Sequence, residues 1–79
     1  MEDTLALKVK KVVHTLVPDA TEDTVLYEQG LDSIKVIQLI TALEKEFGIT
    51  FTNAEMNAQN FRSLKDIYTI IKSKLEHAQ

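Results

Sequence analysis

Between Thr4 and Leu16 the apolar residues Leu5, Val9, Val12, Val13 and Leu16 return at spacings of three and four, the stripe of an amphipathic helix. Thr4 is placed to cap it. Pro18 closes it, because a proline bars helical geometry in the residue before it. Residues 17–32 keep no lasting period, yet Val25, Leu26, Tyr27 and Leu31 are apolar enough to pin this stretch onto a core. Loops of that length in so small a chain tend to be functional. Gly30 adds backbone freedom just before the next element.

Asp32 is a good N-cap for a helix from Ser33 to Phe47, with Gly48 as its stop. At about 100° per residue, Val36, Ile40, Leu43 and Phe47 fall on one side as the buried stripe. Ile34, Gln38, Thr41 and Lys45 fall on another, where Ile34 is the large apolar residue that the core does not claim. After the connector Ile49-Thr50-Phe51, Asn53 is placed to cap a short helix through Ala58. Ser63 and Asp66 form a box-like cap for a last helix carrying Leu64, Ile67, Ile70, Ile71 and Leu75 and running to about His77. The expectation is one all-α domain over residues 1–79. It is a four-helix bundle with three long helices, a short third one and a long loop between the first two.

Composition narrows the function. No cysteine is present, which excludes disulfides, iron–sulfur clusters, thiolate zinc sites and a cysteine nucleophile. Nine Lys and Arg against twelve Asp and Glu disfavour a nucleic-acid binder, which needs a basic face. No apolar run approaches the ~20 residues of a membrane span, and Met1-Glu2-Asp3 lacks the order of a signal peptide. A soluble, cytoplasmic, monomeric binding or carrier module without enzymatic turnover is the expectation.

The usual catalytic arrangements fail. His14 and His77 stand on different terminal helices without cysteine partners, so no metal site is expected. Ser33, His14 and Asp32 make a triad on paper only, with no elbow around the serine. Glu44 and Glu46 point to different sides of one helix, and the two glycines are too far apart to cradle a phosphate. Lys8, Lys10 and Lys11 read as a solvated face. Ser33 keeps two readings on pattern alone. It is either a first-turn serine that helps cap a helix, or an exposed attachment point where free N–H groups and the helix dipole favour a phosphate.

The run Tyr27-Glu28-Gln29-Gly30-Leu31-Asp32-Ser33-Ile34, with Ile37-Gln38-Leu39-Ile40 and Ala42-Leu43-Glu44-Lys45-Glu46-Phe47-Gly48-Ile49, resembles the acyl carrier protein family. The resemblance covers essentially the whole chain. It implies a carrier in which Ser33 receives 4′-phosphopantetheine from coenzyme A through a magnesium-dependent phosphopantetheinyl transferase, and in which Asp32 presents that serine. The arm's thiol then holds an acyl or aminoacyl group as a thioester, which accounts for the missing cysteines. Acyl- or aminoacyl-loading, condensing and tailoring enzymes would be partners. They would dock on Ile34, Gln38, Thr41 and Lys45, with Ile37 and Arg62 as weaker members. By the same resemblance, Val12, Ile40, Leu43, Ile67 and Ile71 are candidates to shelter a long acyl chain.

Housekeeping fatty-acid carriers have a strongly acidic second helix. Here Lys35, Gln38 and Lys45 replace acidic residues, so general fatty-acid enzymes should dock poorly. The segment resembles carriers of polyketide or nonribosomal peptide assembly, or of modified fatty acids, and a discrete protein starting at Met1 is expected. The alternative is a carrier-like domain that is never modified and serves as a structural or regulatory subunit.

Overall fold

The computed structural model describes residues 4–77. Its elements run α1 (Thr4–His14), a 3₁₀ turn (Leu26–Gln29), α2 (Ser33–Phe47) and α3 (Leu64–Glu76). The described residues are thus all-helical, with three α-helices rather than four. α1 packs directly against both α2 and α3.

The first helix is shorter than its periodicity suggests. Thr4 is itself helical rather than capping, and α1 ends at His14. Leu16 N–H then turns back to Val13 O at 3.0 Å and Val17 N–H to the same oxygen at 2.8 Å, the tightened last turn common at helix ends. The His14 ring nitrogen Nε2 meets Ala20 O at 2.8 Å, fixing the chain beyond Pro18.

α2 keeps the boundaries its cap chemistry dictates. Asp32 Oδ1 accepts from Lys35 N–H at 2.9 Å. At the other end Gly48 adopts a left-handed φ of 64° and returns its N–H to Glu44 O, the geometry glycine tolerates best. α3 starts as read, with Ser63 Oγ accepting from Asp66 N–H at 3.3 Å and donating to Asp66 Oδ2 at 2.8 Å.

The short third helix expected over 53–58 is a series of turns. Thr52, not Asn53, makes the reciprocal cap: Thr52 N–H donates to Glu55 Oε1 at 2.8 Å and Glu55 N–H to Thr52 Oγ1 at 3.3 Å. Asparagine side chains then replace helical bonds. Asn57 Nδ2 donates to Ala54 O, and Asn60 Nδ2 to Glu55 O, both at 2.9 Å. Such side-chain bonds compete with a helix ladder. Glu55 is tied to α3 by Lys74 at 2.7 Å, and Phe51 N–H to α2 by Glu44 Oε2 at 2.9 Å.

The core joins Val9 and Val13 of α1, Leu39, Ile40 and Leu43 of α2, Leu64, Ile67 and Ile71 of α3, and Leu26, Leu31, Phe51 and Phe61 from the connections. Phe51 and Phe61 meet edge to face at 5.4 Å. Several positions depart from the sequence stripes. Leu39 is buried although off the assigned stripe, Val36 and Phe47 are half-buried, and Leu75 is exposed.

Candidate functional site

The loop before α2 is held at several points. Lys65 N–H donates to Glu22 O at 3.2 Å and Leu26 N–H to Arg62 O at 2.8 Å, stitching it to the start of α3. Leu26 is fully buried at the head of the 3₁₀ turn. Gly30, with φ 97°, returns its N–H to Leu26 O and reverses the chain; an L side chain would be strained there. Leu31 is then buried and Asp32 exposed. Of the four apolar residues expected to anchor this loop, Leu26 and Leu31 carry the burial. Val25 is half-buried and Tyr27 exposed at 37%. The covering that Tyr27 does have pushes its hydroxyl above the ordinary phenol value.

Ser33 is the first residue of α2 and is exposed. Among the described residues, no backbone acceptor takes the amides of Ser33 or Ile34, whereas Lys35 N–H is held by Asp32 Oδ1 and Val36 N–H by Asp32 O at 2.8 Å. A hydroxyl at this position can carry a bulky substituent into solvent, and a phosphate on it would face two free N–H donors and the positive end of the helix dipole. The donor set therefore fits a phosphodiester on Ser33.

Ile34, Ile37, Gln38, Thr41 and Lys45 are all exposed on α2. Arg62 is exposed on the segment before α3, where its carbonyl holds the 3₁₀ turn. Val12, Ile40, Leu43, Ile67 and Ile71 all pack in the core, the last three of α2 and α3 fully buried and Val12 half-buried. The 3₁₀ turn that aims Ser33 was missed by sequence reasoning; its one signal is Gly30 closing the four residues Leu26–Gln29. Among the described residues no His, Asp and Glu cluster could hold a metal ion, and no helix is long and apolar enough to cross a membrane.

Residues 3–71 match the family described as the phosphopantetheine attachment site. The chain belongs to the acyl carrier protein family. It is a carrier protein with a phosphopantetheine attachment domain, and its cofactor is covalent 4′-phosphopantetheine. Among curated relatives, the acyl carrier protein of Campylobacter hominis is 34% identical over 61 residues, 75% of each chain. That of Buchnera aphidicola is 34% identical over 70 residues, covering 82% of this chain and 87% of the relative. Aminoacyl carrier protein 1 of Bradyrhizobium diazoefficiens is 28% identical over 65 residues, 82% of this chain and 72% of the relative.

Proposed function

We propose that Ser33 is the attachment residue of a carrier with no turnover of its own, which holds acyl or aminoacyl intermediates and delivers them to partner enzymes of a specialised biosynthetic pathway. The observation that carries this is the exposed Ser33 hydroxyl at the N-terminus of α2, beside two unengaged amides and between a buried Leu31 and a fixed cap. The attached group supplies the thiol that a chain without cysteine lacks. Asp32 holds the helix start in place and presents the serine to the transferase. Ile34, Ile37, Gln38, Thr41 and Lys45 form the face that partners meet, with Arg62 at its margin. The likeness to an aminoacyl carrier protein supports a cargo range that includes aminoacyl groups, and the lysines of α2 support a pathway other than general fatty-acid synthesis. The expected working form is a cytoplasmic monomer.

The test is intact mass before and after incubation with a broad-specificity phosphopantetheinyl transferase, magnesium and coenzyme A. A gain of one phosphopantetheinyl group, absent from Ser33→Ala, is the expected result. No gain by a folded, initially unmodified protein would overturn the reading and leave an unmodified interaction subunit.

A further inference from the structure

The 3₁₀ turn that leads into Ser33 gathers its backbone bonds on one residue. Leu26 O accepts Gly30 N–H and, at 3.1 Å, Leu31 N–H, while Leu26 N–H donates to Arg62 O at 2.8 Å. Earlier in the same loop, Glu22 O accepts Lys65 N–H at 3.2 Å. The two cross-links therefore reach the loop from either side of Ser63. Apart from Leu26, the turn and the glycine after it are exposed. Little apolar burial holds it, which places it at the low-stability end of the fold.

Ser63 is the buried polar residue among those described, with 7% of its surface in water. It is the N-cap of α3, in extended geometry with φ −145° and ψ 169°. Its hydroxyl is used twice, donating to Asp66 Oδ2 at 2.8 Å and accepting Asp66 N–H at 3.3 Å. Those bonds set the backbone direction where the chain passes from Arg62 into the first turn of α3, and so where Arg62 O and Lys65 N–H point. A cap ordinarily serves its own helix. This one also fixes the two groups that hold the loop before α2.

We infer that Ser63 is a positioning residue for modification at Ser33. It acts through Arg62 O and Lys65 N–H on Leu26 and Glu22, and from there through Leu26 O on Gly30 and Leu31, which lead into Asp32 and Ser33. The inference rests on Ser33 as the attachment residue and adds a determinant that lies outside α2 and its loop.

The test is amide hydrogen exchange, read residue by residue by NMR, on unmodified native protein and Ser63→Ala. Intact-mass time courses with a broad-specificity phosphopantetheinyl transferase, magnesium and coenzyme A run beside it. In Ser63→Ala, protection of the Leu26, Gly30 and Leu31 amides should fall on the order of fivefold, the equivalent of losing a cap worth about 1 kcal/mol. The Leu39 and Leu43 amides of α2 should lose less. kcat/KM for modification should fall about two- to fivefold as the ordered fraction of the turn drops. Ser63→Thr keeps the hydroxyl and should restore both readings. Asp66→Ala removes the acceptor of the Ser63 hydroxyl but leaves the capping oxygen, so it should move both readings the same way by less, and it carries the test if Ser63→Ala does not fold. Val9→Ala, a core truncation in α1, should lower protection throughout without singling out the turn. Equal loss of protection in the turn and in α2, or modification of folded Ser63→Ala at the native rate, overturns the inference alone. Absence of any mass gain by the native protein overturns the carrier reading and this one with it.

Discussion

Asp32 is given two duties, capping α2 and presenting Ser33, and a pair of substitutions separates them. Its Oδ1 accepts Lys35 N–H at 2.9 Å in an exposed setting. Asparagine keeps an oxygen at that place and alanine does not. Loss of a cap costs about 0.5–2 kcal/mol, typically ~1, and for a domain of this size each kcal/mol lowers Tm by about 4–8 °C. Asp32→Ala should therefore melt roughly 5 °C below the native protein. Asp32→Asn loses only the attraction of the charge for the helix dipole, about 0.3–1 kcal/mol at low ionic strength. It should approach the native Tm in high salt, where that attraction is screened. The proposed presentation to the transferase would use the carboxylate itself, and a bond to a charged group is worth about 1.5–3 kcal/mol. Both variants should thus lose on the order of tenfold or more in kcat/KM for phosphopantetheinylation, though only one loses its cap. Thermal melts by circular dichroism and an intact-mass time course read the two effects. An Asp32→Ala protein as stable as the native one refutes the cap argument, and an Asp32→Asn protein modified at the native rate refutes the presentation argument.

The core and the docking face should respond oppositely to truncation. Leu39→Ala and Leu43→Ala empty positions that are essentially sealed from solvent and should each cost about 2–5 kcal/mol in urea unfolding. Ile34→Ala and Ile37→Ala should stay within about 0.5 kcal/mol of native while slowing delivery to partners. Gly30→Ala forces an L side chain to φ 97° and should cost on the order of 1–2 kcal/mol, seen as a lower urea midpoint. Glu55 is held below the usual carboxylate range by its bond to Lys74, then by Thr52 N–H. Its folded pKa is depressed, so its stabilising contribution is present above the unfolded value of about 4.3 and fades as pH falls through the folded one. Melts from neutral to acid pH should show Glu55→Gln less stable than native above that value, with the gap closing in acid. A gap that stays constant in acid would contradict the assignment.

What the chain discloses by itself follows from how local the governing chemistry is. Both ends of α2 were legible because Asp32 and Gly48 act on amides within a turn of themselves, whereas at Ser33 the pattern left a cap and an attachment point side by side, and only the family resemblance favoured the second. The segment after Phe51 was not, since Asn57 and Asn60 satisfy backbone groups with side chains, a choice that periodicity does not record. The 3₁₀ turn is too short to show a period and depends on Arg62 O, distant in sequence. Leu39 escaped the stripe because a helical wheel gives a direction but not a width. The sector of α2 that is covered depends on where the connections lie, and Leu26, Phe51 and Phe61 join its core. Arg62 needed the same long-range information, since its carbonyl reaches the 3₁₀ turn from the segment before α3.

The buried Leu31 immediately before Asp32 has a consequence for any cargo on Ser33. A tethered reactant is offered at an effective concentration set by the reach of its tether, which falls roughly as the −3/2 power of length or steeper once the span is exceeded. A slack loop ahead of the serine would lengthen that reach with protein chain and dilute the cargo. Here the polypeptide contributes nothing to it: Leu31 is locked in the core on one side and α2 is rigid on the other. An arm on Ser33, as proposed, would pivot from a fixed origin, and a partner docked on α2 would meet a cargo whose local concentration depends on the arm alone.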